Sequence, residues 1–125
     1  MILGIDEIHK LVDEIKLVEN LSERELINPE GAGVDLRVGE LYELSGAGFL
    51  GVEERKTPKV RLVARYSSKK SAKTVLRPKR YYAITTVEEI NAPSNIAVIF
   101  RPRSTLYRSG IALFTGNVSP WYAGN

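Results

Sequence analysis

The 125-residue chain has no cysteine and one histidine, His9. Without thiols it can form no disulfide, no iron–sulfur cluster and no cysteine nucleophile. A catalytic zinc site takes three His, Cys or carboxylate ligands and rarely forms without His or Cys. Zinc-dependent base deamination, which needs a His/Cys/Cys set, is therefore excluded. A Ser-His-Asp triad would have to use His9, which lies in a helical pattern beside Lys10 and reads as a surface residue. No apolar run approaches the roughly 20 residues that span a bilayer. The start, Met1-Ile2-Leu3-Gly4-Ile5-Asp6-Glu7, has no basic segment before an apolar one. Neither a membrane partner nor a signal peptide is expected, and a cytoplasmic location follows by default.

What is present suits a folded domain. Hydrophobic residues make up 43% and charged residues 26%, which argues against disorder. The length fits a single domain, residues 1–125, with a real core. A net charge of +3 and a pI near 9.2 suit a small polyanionic ligand and are too weak to indicate nucleic acid.

Ile5, Ile8, Leu11, Val12, Ile15 and Val18 recur at three- and four-residue steps, which predicts an N-terminal helix with Asp6 as N-cap. Ser22 and Glu25 have capping-box spacing for a second short helix, ended by Asn28-Pro29. The period then becomes two. Val34, Leu36 and Val38 alternate with Asp35 and Arg37 as in a half-buried strand, bracketed by Gly31, Gly33 and Gly39. These glycines permit close backbone approach or a bulge. Further strands are expected at 60–66, 74–76, 81–87, 96–100 and 111–114. The basic stretch 67–73 reads as an exposed hairpin loop without interleaved aromatics. Many short strands at this spacing suggest a mostly β fold, a sandwich or barrel of the jelly-roll kind, with one helix packed on it.

The densest chemistry follows the apolar run 96–100. Arg101, Arg103 and Arg108 stand among Ser104, Thr105 and Ser109. Guanidinium forks pair with phosphate oxygens, and hydroxyls fill the remaining acceptor sites. The other reading is a solvated turn with surface salt bridges, and the residues by themselves leave both open.

Arg103-Ser104-Thr105-Leu106-Tyr107-Arg108-Ser109-Gly110-Ile111 resembles the Arg-Ser-Ser-Leu-Ala-Arg-x-Gly-Leu signature of the dCTP deaminase and dUTPase superfamily. Other stretches resemble the family in the same order. They are Asp35-Leu36-Arg37, the run from Leu76-Arg77-Pro78 through Thr86-Val87-Glu88, and Pro93-Ser94-Asn95-Ile96-Ala97. The N-terminal helix is similar to the deaminase branch. The resemblance implies a distorted jelly-roll that assembles as a homotrimer and binds a deoxynucleoside triphosphate, dUTP or dCTP, with Mg2+. It implies that Arg103, Ser104 and Arg108 hold the phosphates, with Leu106 and Ile111 anchoring the turn. Thr115, Gly116 and Asn117 would form the hairpin that reads the base, with Tyr122 nearby. Asp35 would help to hold Mg2+ through water. Its other reading is a strand-surface aspartate paired with an arginine.

Two departures bear on activity. Where the family has Asp-Pro-Gly-Tyr-x-Gly, this chain has Ser119-Pro120-Trp121-Tyr122-Ala123-Gly124. Ser119 thus falls at the usual water-activating Asp, and a serine hydroxyl cannot serve as that base. The catalytic residue is therefore unassigned. The deaminase branch also places a catalytic Glu just beyond Asn125, so a C-terminal continuation is expected. Glu88 and Glu89 precede the signature and cannot take that role. The resemblance implies a dUTP diphosphatase-like hydrolase, a zinc-free dCTP deaminase, or a non-catalytic nucleotide-binding trimer. In calorimetric titrations Arg108→Ala is expected to weaken triphosphate binding far more than nucleoside binding. Equal losses would show that Arg108 does not contact phosphate.

Overall fold

The three- and four-residue apolar spacing at the N-terminus does form a helix. In the computed structural model, which describes all of residues 1–125, α1 spans Ile5–Ile15. Its N-cap is Gly4 and not Asp6. Asp6 and Glu7 lie in the first turn instead, where carboxylates meet the positive end of the helix dipole. Lys16 ends the helix in a left-handed conformation, φ 57°. The chain therefore leaves helical period before Val18, which opens β1 (Val18–Glu19) and does not complete a last helical turn. The second helix, α2 (Glu23–Ile27), starts as its capping residues predict, with Ser22 Oγ accepting from the Glu25 N–H at 3.4 Å. His9 is half-buried, not a free surface residue, because Nε2 donates to the Glu25 carbonyl at 2.8 Å.

The remaining elements are mostly short strands. They are β2 (Val38–Ser45), β3 (Phe49–Leu50), β4 (Arg55–Lys56), β5 (Lys59–Arg65), β6 (Tyr82–Thr86), β7 (Glu89–Asn91) and β8 (Val98–Ile99). A short helix, α3 (Ser104–Arg108), precedes β9 (Asn117–Val118) and β10 (Ala123–Gly124). The fold is mostly β with a few helices, as expected. The strands form separate two- and three-stranded sheets, and none closes into a barrel. No helix is long and apolar enough to cross a membrane.

Contacts divide the chain into two compact units, Met1–Gly33 with Glu89–Gly124, and Val34–Glu88 with Asn125. The first unit contains all the buried hydrophobic side chains: Val12, Leu17, Val18, Ile90 and Ala92. Its sheet runs β1-β7-β10, with Val18 and Gly124 flanking Ile90 in antiparallel register. Asn91 ties this sheet to the end of α1, as Nδ2 donates to the Lys16 carbonyl and to Glu19 Oε1, each at 2.8 Å. A second ladder in this unit pairs Val98 with Val118 and Ile99 with Asn117. The strand expected over 96–100 shrinks to these two residues, and the one expected over 111–114 does not form.

The second unit is built on the antiparallel sheet β5-β2-β6. The alternating run 34–37 is not part of β2, which begins at Val38 and continues to Ser45. Gly39, the second residue of β2, sets an irregularity in the strand. A β-carbon there would sit 2.6 Å from the Thr86 carbonyl oxygen, and the β2–β6 register shifts between Val38 and Glu40. Only glycine allows that approach, which is the close contact its position predicts. The basic loop 67–73 is exposed as expected, but it does not close a hairpin. β5 and β6 lie on opposite sides of β2, so the segment crosses from one edge of the sheet to the other. No strand forms at 74–76.

Residues 34–37 have another task. Arg37 places its backbone N–H 2.8 Å from Glu88 Oε2 and its Nε 2.7 Å from Glu88 Oε1. Glu88 is fully buried. The Arg37 carbonyl accepts from the Val87 N–H at 3.0 Å, and the guanidinium lies 5.3 Å from the Tyr66 ring centroid. A buried carboxylate is costly unless fork-paired and hydrogen-bonded, and removing its partner is strongly destabilising. Arg37→Ala is expected to cost about 3 kcal/mol or more in urea denaturation. Arg37→Lys should recover only part of that, because an ammonium cannot place one nitrogen on Glu88 and another on the Tyr66 hydroxyl as the planar guanidinium does. An unchanged midpoint for Arg37→Ala would show that other groups satisfy Glu88.

Candidate functional site

Helix α3 has five residues, and its C-terminal end is locked by backbone geometry. Gly110, at φ +73°, donates its N–H to the Tyr107 carbonyl, and Ile111 donates to the Leu106 carbonyl, each at 3.0 Å. This is the Schellman pattern, which requires a left-handed residue after the helix and favours an apolar pair between the residues it bridges. Leu106 and Ile111 are that pair, and both are half-buried while their neighbours are exposed. The anchoring expected of these two residues thus has a structural cause.

The lock holds the polar side chains outward. Arg103 is the N-cap residue, Ser104 is the first helical residue, and Arg108 is the last. All three are exposed. The arginines are not equivalent. Arg103 reaches Glu30 Oε2 at 3.3 Å, and Arg24 holds the other oxygen of Glu30 at 2.6 Å. The Arg24 hydrogen bond first, then the Arg24 charge and the Arg103 hydrogen bond, keep the Glu30 carboxyl below its ordinary value. Arg101 and Arg108 form no ion pair. The solvated salt-bridge reading of this run therefore holds for one arginine of three.

A cleft of about 420 Å3 opens beside α3, lined among others by Phe100, Arg101, Tyr107, Phe114 and Thr115. Thr115 Oγ1 donates to the Phe100 carbonyl at 3.2 Å, and Asn117 lies opposite Ile99 in the ladder. Thr115, Gly116 and Asn117 are thereby placed along the strand end that leads into α3. The cleft combines a cation with exposed aromatic faces, Tyr107 at 61% and Phe114 at 83%. That combination suits a ligand with an anionic part and a flat apolar part.

The segment carrying Ser119 is a tight turn. The Tyr122 N–H donates to the Ser119 carbonyl at 3.3 Å across Pro120 and Trp121, and Trp121 has φ +69°. A turn with Pro second and positive φ third has the character of type II, whose third position favours glycine. Here a tryptophan that is 81% exposed occupies it. The turn is pinned to Ala92 by two backbone bonds, the Ala92 N–H to the Tyr122 carbonyl at 2.8 Å and the Trp121 N–H to the Ala92 carbonyl at 2.9 Å. A β-carbon on Gly124 would lie 3.0 Å from the Tyr122 hydroxyl, so the Tyr122 ring covers that glycine.

Arg103, Ser104, Arg108, Thr115, Gly116, Asn117 and Tyr122 all belong to the first unit. Asp35 belongs to the second unit, in the extended stretch before β2, where it is half-buried and already engaged in a polar contact. Sequence reasoning missed Glu30, Arg37 and the strained Trp121. The signal for Trp121 was present, since Pro120-Trp121 stands where Pro-Gly is usual. Nothing local signalled that Glu30 meets Arg103, 73 residues away.

A family model described as dCTP deaminase-like matches residues 2–125. A probable deoxyuridine 5'-triphosphate nucleotidohydrolase of Methanopyrus kandleri is 32% identical over 94 residues, covering 74% of this chain and 58% of the relative. A deoxyuridine 5'-triphosphate nucleotidohydrolase of Methanocaldococcus jannaschii is 27% identical over 106 residues, covering 85% of this chain and 65% of its own length. A dCTP deaminase of Pyrococcus abyssi is 32% identical over 109 residues, 87% of this chain and 58% of the relative. The chain spans about three fifths of the length of these relatives. No solved structure matches it significantly.

The turn makes its own prediction. A non-glycine residue in the left-handed region costs about 1–2 kcal/mol, and glycine returns roughly 0.5–1 kcal/mol of that as backbone entropy. Trp121→Gly is therefore expected to stabilise the chain by about 1 kcal/mol or somewhat less in urea denaturation. A destabilised variant would show that the tryptophan is held by packing.

Proposed function

The chain belongs to the dCTP deaminase-like family, and on that premise we propose that it binds a deoxynucleoside triphosphate and hydrolyses dUTP to dUMP and pyrophosphate. One observation supports this above the rest. The locked helix α3 presents Arg108 without an ion-pair partner, beside an aromatic cleft that holds a second uncommitted cation, Arg101. Unpaired exposed guanidiniums on a rigid turn are what a multiply charged phosphate chain requires.

In this reading Arg103, Ser104 and Arg108 hold the triphosphate, and Arg101 adds charge at the cleft. Arg103 exchanges Glu30 for phosphate at small cost, since exposed ion pairs contribute only about 0–1 kcal/mol. Thr115, Gly116 and Asn117 meet the base through backbone and side-chain polar groups, with Tyr122 at the edge. Water adds to the α-phosphorus and the bridging oxygen leaves with pyrophosphate. The guanidiniums stabilise the charge that builds on the leaving group.

No three His, Asp or Glu side chains converge as a metal-ligating group. A Mg2+ would come with the triphosphate, since Mg2+ keeps several waters and uses few carboxylates beside substrate phosphates. The ion would supply charge neutralisation. The water-activating base is not Ser119, whose hydroxyl does not ionise near neutral pH.

Assembly as a homotrimer with a completed jelly-roll belongs to the same proposal, as do the two units acting as one cytoplasmic domain. It is supported by the adjacent apolar side chains of β3, Phe49 at 59% and Leu50 at 79% exposed. Such surface is normally covered by a partner. Three observations favour other readings. The Pyrococcus relative and the helix α1 favour dCTP deamination, and Ser119 favours binding without turnover.

Incubation with dUTP and Mg2+ is expected to release pyrophosphate, while dCTP absorbance stays constant. Loss of dCTP absorbance would select the deaminase reading. Tight dUTP binding in calorimetry, with no pyrophosphate at high protein concentration, would sink hydrolysis and leave the binding reading.

A further inference from the structure

The net charge of +3 conceals a strong segregation. Residues 55–87 hold 11 lysines and arginines and no aspartate or glutamate, whereas the rest of the chain holds 7 basic and 15 acidic side chains. On β5 the excess is partly neutralised, because Arg61 pairs with Glu43 and Arg65 with Glu40. After β5 it is not. Lys69, Lys70, Lys73, Arg77, Lys79 and Arg80 form no ion pair, and every residue from 65 to 81 is exposed. The carboxylate within electrostatic reach of Arg77 and Arg80 is Glu43, which is already hydrogen-bonded to Arg61.

The segment ends in a shaped surface. Lys79, Arg80 and Tyr81 line a cleft of about 290 Å3 together with Leu44, Ser45 and Pro58. Tyr81 is 69% exposed, and its carbonyl accepts from the Leu44 N–H at 3.0 Å, which holds it beside β2. Lys79 follows Pro78 with φ +59°, a conformation in which glycine would be unstrained. A cation therefore stands at the mouth of the cleft in place of the residue the backbone prefers.

Six like charges within twelve residues repel one another, and a single phosphate would engage only two or three of them. A polyanionic strand engages them all, and an aromatic face beside a phosphate-binding groove is how unpaired bases are held. We propose that residues 67–81 form a binding surface for single-stranded nucleic acid. Its phosphates run along the six cations, and one base stacks on Tyr81 in the cleft. The surface shares no residue with α3 and does not depend on the triphosphate reading. The low net charge that argued against a nucleic-acid partner is an average over two regions of opposite sign.

The test uses the full chain and a labelled thymidine oligonucleotide of about a dozen nucleotides, followed by fluorescence anisotropy. Binding is expected, with log affinity falling against log salt at a slope of about −4 for six contacts. Reversing Lys69, Lys70 and Lys73 to Glu should weaken it at least roughly tenfold and flatten the slope. Tyr81→Ala should weaken it roughly tenfold with the slope unchanged, and duplex of the same length should bind less tightly. Circular dichroism checks that the variants fold, and Lys→Gln at the same three sites gives a milder series in the same direction. Binding that is absent at low salt, or unmoved by these changes, overturns the proposal. So does binding that disappears in Arg108→Ala, which would place the strand on α3. A change of mass in sedimentation on charge reversal, with oligonucleotide binding intact, would make the surface a contact between copies and also overturn it.

Discussion

Glu88 is the constraint around which the second unit is arranged. A fully buried carboxylate is tolerable only when its oxygens are met by strong donors, and both here are met by Arg37. One donor is a guanidinium nitrogen and the other is the backbone N–H, so the side chain and the main chain of Arg37 are fixed together. The Arg37 carbonyl then takes the Val87 N–H, and Thr86 Oγ1 donates to the Glu88 carbonyl at 2.7 Å. The approach to β2 and the end of β6 are tied at one point. The next residue but one is Gly39, where no side chain fits against the Thr86 backbone. The register shift there lets β2 leave the Glu88 site and continue as the central strand of its sheet.

The cations of this chain fall into two groups with different work. Arg37, Arg61 and Arg65 are committed to carboxylates inside one sheet unit and hold structure. The bond between Tyr42 and Glu40, with Arg65 on the second oxygen, lowers the Glu40 carboxyl and raises the Tyr42 phenol, which favours a carboxylate held by a neutral phenol and a guanidinium. Arg101, Arg108 and the lysine-rich crossover are uncommitted and exposed. Desolvation and pairing dominate where a charge is buried, whereas at the surface an unpaired charge keeps its field for a ligand.

The same division separates legible from illegible features. Helix positions, the Ser22 cap and the close approach at Gly39 could be read locally, because each rests on interactions within a few residues or on one residue's allowed backbone. The signature run was legible as a phosphate-holding candidate for the same reason, as its Schellman lock involves only residues 106–111. Strand limits were not. The alternating run 34–37 looks like a strand, yet it is recruited by Glu88, 51 residues away. Tertiary hydrogen bonding outweighed the local period there. The loop 67–73 was placed correctly at the surface but misread as a hairpin, because which strands flank β2 is a matter of topology.

Sequence by itself determined the chemistry the chain can do. It has no thiol, it has an arginine-hydroxyl run at 101–109, and it carries a serine at 119. These follow from residue identity alone. Tertiary structure decided which charges are free. It assigned Arg37 to Glu88, shared Arg103 with Glu30, and left Arg108 and the basic crossover open. Pairing depends on which distant carboxylate is brought within a few ångströms. Coulomb and desolvation energies at that range outweigh anything a residue's neighbours in sequence can specify.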